Sequence, residues 1–137
     1  MNFRSPIRKV SSLGSAKEGT SHWLMQRTSA VALIFLTIWL LFSFLQMNMN
    51  IVEPYILSPA EARYLYIDWI NSSINAVMII LFIIAMFYHG ALGIRVVLED
   101  YVHNEFIKIT AIIFVNLISF AASSIGIFSV LSMYFKG

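Results

Sequence analysis

The chain has 137 residues, of which 59% are hydrophobic and only 12% charged, with a formal net charge of +2 and a mean hydropathy of +0.79. A soluble domain carries about 25% charged residues, so a water-soluble enzyme is excluded. The absence of cysteine excludes disulfides, thiolate chemistry and cysteine-ligated iron–sulfur clusters within the chain.

Residues 1–22 form a polar tail rich in Ser, Gly and cations (Arg4, Arg8, Lys9, Lys17). The apolar run behind it is longer than the roughly 7–15 residue core of a signal peptide, so the tail reads as part of the protein, with a mitochondrial presequence as the alternative. A first helix is expected over about 23–49, a second over about 69–99 and a third over about 107–134. The reason is that residues 28–52, 69–94 and 109–135 contain no Asp, Glu, Lys or Arg and no proline. Each run exceeds the roughly 20 residues that span a bilayer as helix, and backbone groups in lipid must be satisfied within their own segment. The chain therefore reads as a single all-α membrane domain with three transmembrane helices.

Orientation follows from Lys and Arg. The N-terminal tail with Arg27, and the second connection with Arg95 and Lys108, hold most of them, whereas the other side holds Arg63 and Lys136. Cationic loops stay on the cytoplasmic side, so the N-terminus is expected inside, and the first connection, with Glu53, Glu61 and Asp68, outside. Trp23 and Tyr101 then mark the inner interface, and Tyr55, Tyr64, Tyr66, Trp69 and Tyr134 the outer one. The positive balance is accounted for by this bias, and no nucleic-acid partner is expected.

His89 is the one titratable side chain other than tyrosine inside a charge-free run. It stands six residues before Arg95, about 9 Å inside the inner edge of the second helix. An ionisable residue within lipid is a functional candidate, and the competing reading is an interhelical hydrogen bond. Ala85 and Gly93 lie four residues either side of His89 and Gly90 is adjacent, which leaves room for a flat group or for close helix packing. A neutral imidazole with this clearance suits an axial ligand of haem iron, the second ligand coming from another subunit. Asp100, eleven residues on, falls about 20° past three full turns and about 16 Å along the helix, with Tyr101 beside it. A phenol next to a carboxylate can donate to a carbonyl and help relay protons, although such a pair is also an ordinary interfacial helix end. Arg27 can snorkel to the interface or pair with an anion such as a haem propionate. His22, Arg27, His89, Asp100 and Tyr101 are all expected in the inner half of the membrane.

The segments Gly14-Ser15-Ala16-Lys17-Glu18-Gly19, His22-Trp23, Gln26-Arg27-Thr28-Ser29-Ala30, His89-Gly90-Ala91-Leu92-Gly93 and Val97-Leu98-Glu99-Asp100-Tyr101-Val102 carry a resemblance. The chain resembles the hydrophobic membrane anchor of succinate dehydrogenase in its D-type form, over residues 14–137, and His-x3-Gly-x6-Asp-Tyr-Val is the specific motif. The C-type anchor differs in pairing Arg with His after the Gly, where this chain has Ile94-Arg95-Val96. The resemblance implies a respiratory complex II in the bacterial inner membrane, or alternatively the mitochondrial inner membrane. In it, flavoprotein and iron–sulfur subunits oxidise succinate while this chain and a C-type cytochrome b anchor hold them on the lipid. It also implies that His89 ligates haem b, that Arg27 lies near the propionates, and that Tyr101, with Asp100, contacts ubiquinone. Two other readings compete: a structural anchor without cofactor, and a small oligomeric transporter, which the lack of any acidic residue in the three runs disfavours.

Overall fold

The computed structural model describes residues 17–51 and 58–136, and among them the only secondary structure is α-helix. The elements are α1 (Lys17–Ile51), α2 (Pro59–Asn71), α3 (Ser73–Tyr101) and α4 (Glu105–Lys136). Stretches Thr20–Met49, Ser73–Tyr101 and Glu105–Lys136 are long and apolar enough to cross a membrane, in keeping with the three expected spans. The tail cations Arg4, Arg8 and Lys9, together with Glu53 and Tyr55, lie outside the described residues.

Helix boundaries follow local chemistry. No proline lies between Pro6 and Pro54, and α1 starts at Lys17, so that His22 rides on its early turns instead of preceding it. The first connection contains most of α2, a 13-residue helix not expected from the sequence, whose last residues, 69–71, the sequence places at the start of the second span. Ser58 is its N-cap, Pro59 opens it, and Ser58 and Glu61 form a reciprocal capping box. The Ser58 N–H and hydroxyl donate to the Glu61 carboxylate at 2.7 and 2.8 Å. The backbone donor, and then the hydroxyl, hold the Glu61 carboxyl below its usual value. A lowered folded pKa means that this end-cap is complete above the ordinary carboxylate range of about 4.3 and is lost as pH falls through the lowered value. Protection of the Ser58 amide, its exchange relative to the intrinsic rate at each pH, is expected to fall only below that range, and its absence at neutral pH would contradict the cap.

Ser72 breaks the chain between α2 and α3, and Asn75 Nδ2 donates to the carbonyl of Trp69 at 2.7 Å, taking up an acceptor at the end of α2. Between α3 and α4 the Asn104 side chain accepts from the N–H groups of Phe106 (3.0 Å) and Ile107 (3.2 Å), an N-cap for α4.

Helix α3 is central. It packs against both α1 and α4, while α1 and α4 do not touch among the described residues. Gly126 on α4 allows a close approach, since a Cβ there would stand 3.2 Å from Ile83. Only Ser29, Met47, Ala76 and Val130 are buried among the described residues, so the apolar side chains on the three long helices are mostly exposed or half-buried. In water such exposure would be ruinous; lipid tails are as apolar as leucine, and packing and interhelical hydrogen bonds hold the helices together instead. Trp69 Nε1 donates to Ser43 Oγ at 2.9 Å and Phe44 stacks on Tyr66, which ties α2 to α1. Ser73 and Tyr134 share a 2.9 Å hydroxyl contact that joins α3 to α4 at the same end. The opposite end gathers the start of α1, the end of α3 and the start of α4.

Candidate functional site

At that opposite end, α1 and α3 enclose a groove of about 650 Å³, inside the roughly 300–1,000 Å³ range of ligand sites. One wall is α1, which contributes His22, Trp23, Gln26, Arg27 and Ala30 at helical spacing. The other is α3, which contributes His89, Gly93, Val96 and Glu99. The intervals of four and three residues from His89 to Val96 place these positions on one stripe of the helix.

His89 is half-buried, and its Nδ1 stands 3.0 Å from Ser29 Oγ on α1. That hydroxyl also donates to the carbonyl of Gln26, 3.1 Å away. The interhelical hydrogen bond of the competing reading is therefore present, and it occupies one ring nitrogen only. Arg27 lies over the ring of Trp23, 5.5 Å from its centroid, and is exposed. Among the described residues the ion pairs are Arg95–Glu99 at 2.8 Å and Lys108–Glu105 at 2.7 Å, so Arg27 faces the groove with no carboxylate of its own. The Gln26 Oε1 atom is buried without a partner, an unsatisfied acceptor at the groove wall.

The sequence-expected residues divide. His22, Arg27 and His89 come together on the groove, whereas Asp100 and Tyr101 are not among its lining residues. Both are exposed at the end of α3, Tyr101 by 77%. Glu99, not Asp100, reaches the groove, with its carboxylate held by Arg95. Of the small residues near His89, Gly93 lines the groove and faces Gln26 Nε2, while a Cβ on Gly90 would meet nothing within 4 Å. Sequence reading missed Gln26 on the groove wall and Ser29 against His89. Their signal was weak: two polar side chains near the start of a span, spaced three apart.

A haem needs a donor for iron, a slot free of large side chains, and cations for its two carboxylates. His89, the small Ala30 and Gly93 on the two walls, and the Arg27 guanidinium, with the His22 ring as a further hydrogen-bond donor, stand in one groove, so the residues present fit the group.

Comparison with known proteins identifies the family. Residues 1–123 match the model of the succinate dehydrogenase/fumarate reductase transmembrane subunit family. The chain is 34% identical over 119 residues to a succinate dehydrogenase hydrophobic membrane anchor subunit of Rickettsia bellii, covering 86% of each chain. It is 31% identical over 136 residues to the subunit of that name from Rickettsia conorii, covering 99% of this chain and 98% of the relative. It is also 30% identical over 105 residues to a succinate dehydrogenase membrane anchor subunit of Reclinomonas americana, covering 75% and 79%. No solved structure matches the chain. The chain belongs to the succinate dehydrogenase/fumarate reductase transmembrane subunit family.

Proposed function

We propose that this chain is the D-type membrane anchor of a succinate:ubiquinone oxidoreductase in a bacterial inner membrane. It is a non-catalytic subunit that holds the flavoprotein and iron–sulfur subunits on the lipid, shares haem b with a C-type cytochrome b anchor and forms part of the ubiquinone site. The observation that carries this reading is the α1/α3 groove, where an imidazole, a guanidinium and a second histidine converge at one end of an otherwise apolar bundle. That end, with Arg27, Arg95 and Lys108, faces the cytoplasm by the positive-inside rule.

His89 is the haem ligand of this chain, through the ring nitrogen that Ser29 leaves free. Arg27 holds a propionate by charge-assisted hydrogen bonds, which its exposed position over Trp23 permits without breaking an ion pair. When bound, haem supplies a one-electron acceptor and donor between the spans. Tyr101 donates a hydrogen bond to a ubiquinone carbonyl at the membrane surface, and Asp100 beside it accepts and passes on protons taken up there. Reduction of a quinone to the quinol consumes two electrons and two protons, so a proton path beside the carbonyl is a chemical requirement of the site.

The groove has a steric test. A Cβ at Gly93 would meet Gln26 Nε2 at 3.7 Å, an ordinary contact, so Gly93→Ala is expected to retain haem. Gly93→Leu fills the slot and is expected to weaken haem binding by about 1–3 kcal/mol, read as the haem-to-protein ratio of the purified complex. Equal haem content in both variants would place the cofactor elsewhere. The anchor role is tested by expressing the other subunits without this chain. Succinate oxidation with an artificial acceptor is expected to move from the membrane to the soluble fraction, and full retention on the membrane would contradict the proposal.

A further inference from the structure

A single hydroxyl on α1 meets the His89 ring of α3. Ser29 is 9% exposed, among the few buried residues of the chain, and its Oγ lies 3.0 Å from His89 Nδ1 and 3.1 Å from the Gln26 carbonyl oxygen. A hydroxyl has one proton to give. The carbonyl can only accept, so the contact with Gln26 uses that proton, a common arrangement for serine inside a helix. Oγ then turns a lone pair towards Nδ1. Both contacts are made together only when Nδ1 carries the imidazole proton, and the lone pair of the ring then resides on Nε2. The opposite assignment, in which Ser29 donates to a bare Nδ1, forfeits the carbonyl contact and puts a proton on Nε2, where it blocks metal binding.

We infer that Ser29 is a positioning residue that fixes His89 as the Nδ1–H tautomer, leaving Nε2 pre-set to ligate the haem iron. This inference rests on the haem reading of the groove. Ligating histidines characteristically donate their second N–H to an acceptor, which sets the ring orientation and raises the basicity of the ligating nitrogen. Here the acceptor sits on another helix. Its donation to the Gln26 carbonyl also polarises the hydroxyl and makes Oγ a stronger acceptor, and the span offers no water to compete. Because Ser29 is on α1 and His89 on α3, the same bond links the two groove walls.

The test uses the complete complex carrying Ser29→Ala or Ser29→Thr. Without the acceptor, Nδ1–H is unsatisfied and the ligand becomes less basic, so the ferric state is less well supported. Ser29→Ala is expected to raise the haem midpoint potential and to weaken haem retention about 10–100-fold, whereas Ser29→Thr, which keeps the hydroxyl, restores both towards the unsubstituted complex. An unchanged potential and haem content in Ser29→Ala would overturn the inference, as would an equal defect in both variants. Pulsed EPR of the unsubstituted ferric complex reads the remote nitrogen of the ligand directly and needs no variant to assemble. A hydrogen-bonded Nδ1–H on His89 is expected, and coordination through Nδ1 would overturn the assignment. Loss of the haem reading itself looks different: the unsubstituted complex would then contain no b-type haem at all.

Discussion

Replacing His89 with alanine is expected to remove the b-type absorbance of the purified complex while the subunits still assemble and still oxidise succinate with an artificial acceptor. The direct ligand is lost, so the fall in haem retention should exceed the roughly 10–100-fold that follows loss of an outer hydrogen-bonding partner. The fold should survive the change. The Ser29–His89 contact is one interhelical hydrogen bond, and such bonds in membranes contribute about 0.6 kcal/mol on average. Ser29 Oγ also keeps the Gln26 carbonyl as its acceptor after the substitution. A His89→Ala complex with a normal reduced b-type spectrum would refute ligation by this residue.

Tyr101→Phe is expected to separate the two half-reactions of the complex. Tyr101 is the last residue of α3, 77% exposed, and its hydroxyl makes no hydrogen bond among the described residues. Removing that hydroxyl breaks nothing within the chain, and stability should stay within about 0.5 kcal/mol, as for other surface substitutions. A donor aimed at a carbonyl where charge develops is a different matter, since losing one such donor in a low-dielectric site slows the reaction by about 100–1,000-fold. Quinone reduction is therefore expected to fall by that order while succinate oxidation with an artificial acceptor is retained. Undiminished quinone reduction would remove Tyr101 from the mechanism. Its position outside the α1/α3 groove suits a quinone that enters from the membrane surface and a haem held deeper between the helices.

Much of this organisation is legible in the sequence because it rests on what lipid forbids. Charge depletion over residues 28–52, 69–94 and 109–135 locates the spans, and His89 and Arg27 stand out as polar exceptions at or inside their edges. Helix α2 escaped notice because the first connection carries Glu61, Arg63 and Asp68 and lacks the apolar length of a span, yet Ser58 followed three residues later by Glu61 is a readable capping signal. Asp100 shows the limit of helical arithmetic. Eleven residues from His89 return it to nearly the same face, but the groove is lined by Glu99, which Arg95 holds through an i,i+4 ion pair. Ser29 was least legible. Its meaning depends on the rotation of α1 against α3, which brings together residues sixty positions apart, and no local pattern encodes that angle.

The most direct measurement is near-infrared magnetic circular dichroism of the oxidised complex, isolated through a tag on this chain, with its subunits identified by mass spectrometry. A low-spin ferric haem with two imidazole ligands is expected, together with the flavoprotein, the iron–sulfur subunit and a second anchor. On the proposed reading, one imidazole comes from His89 and the other from the partner anchor. A complex of those subunits without haem, or a haem with any axial ligand other than histidine, would contradict the proposed role of the α1/α3 groove.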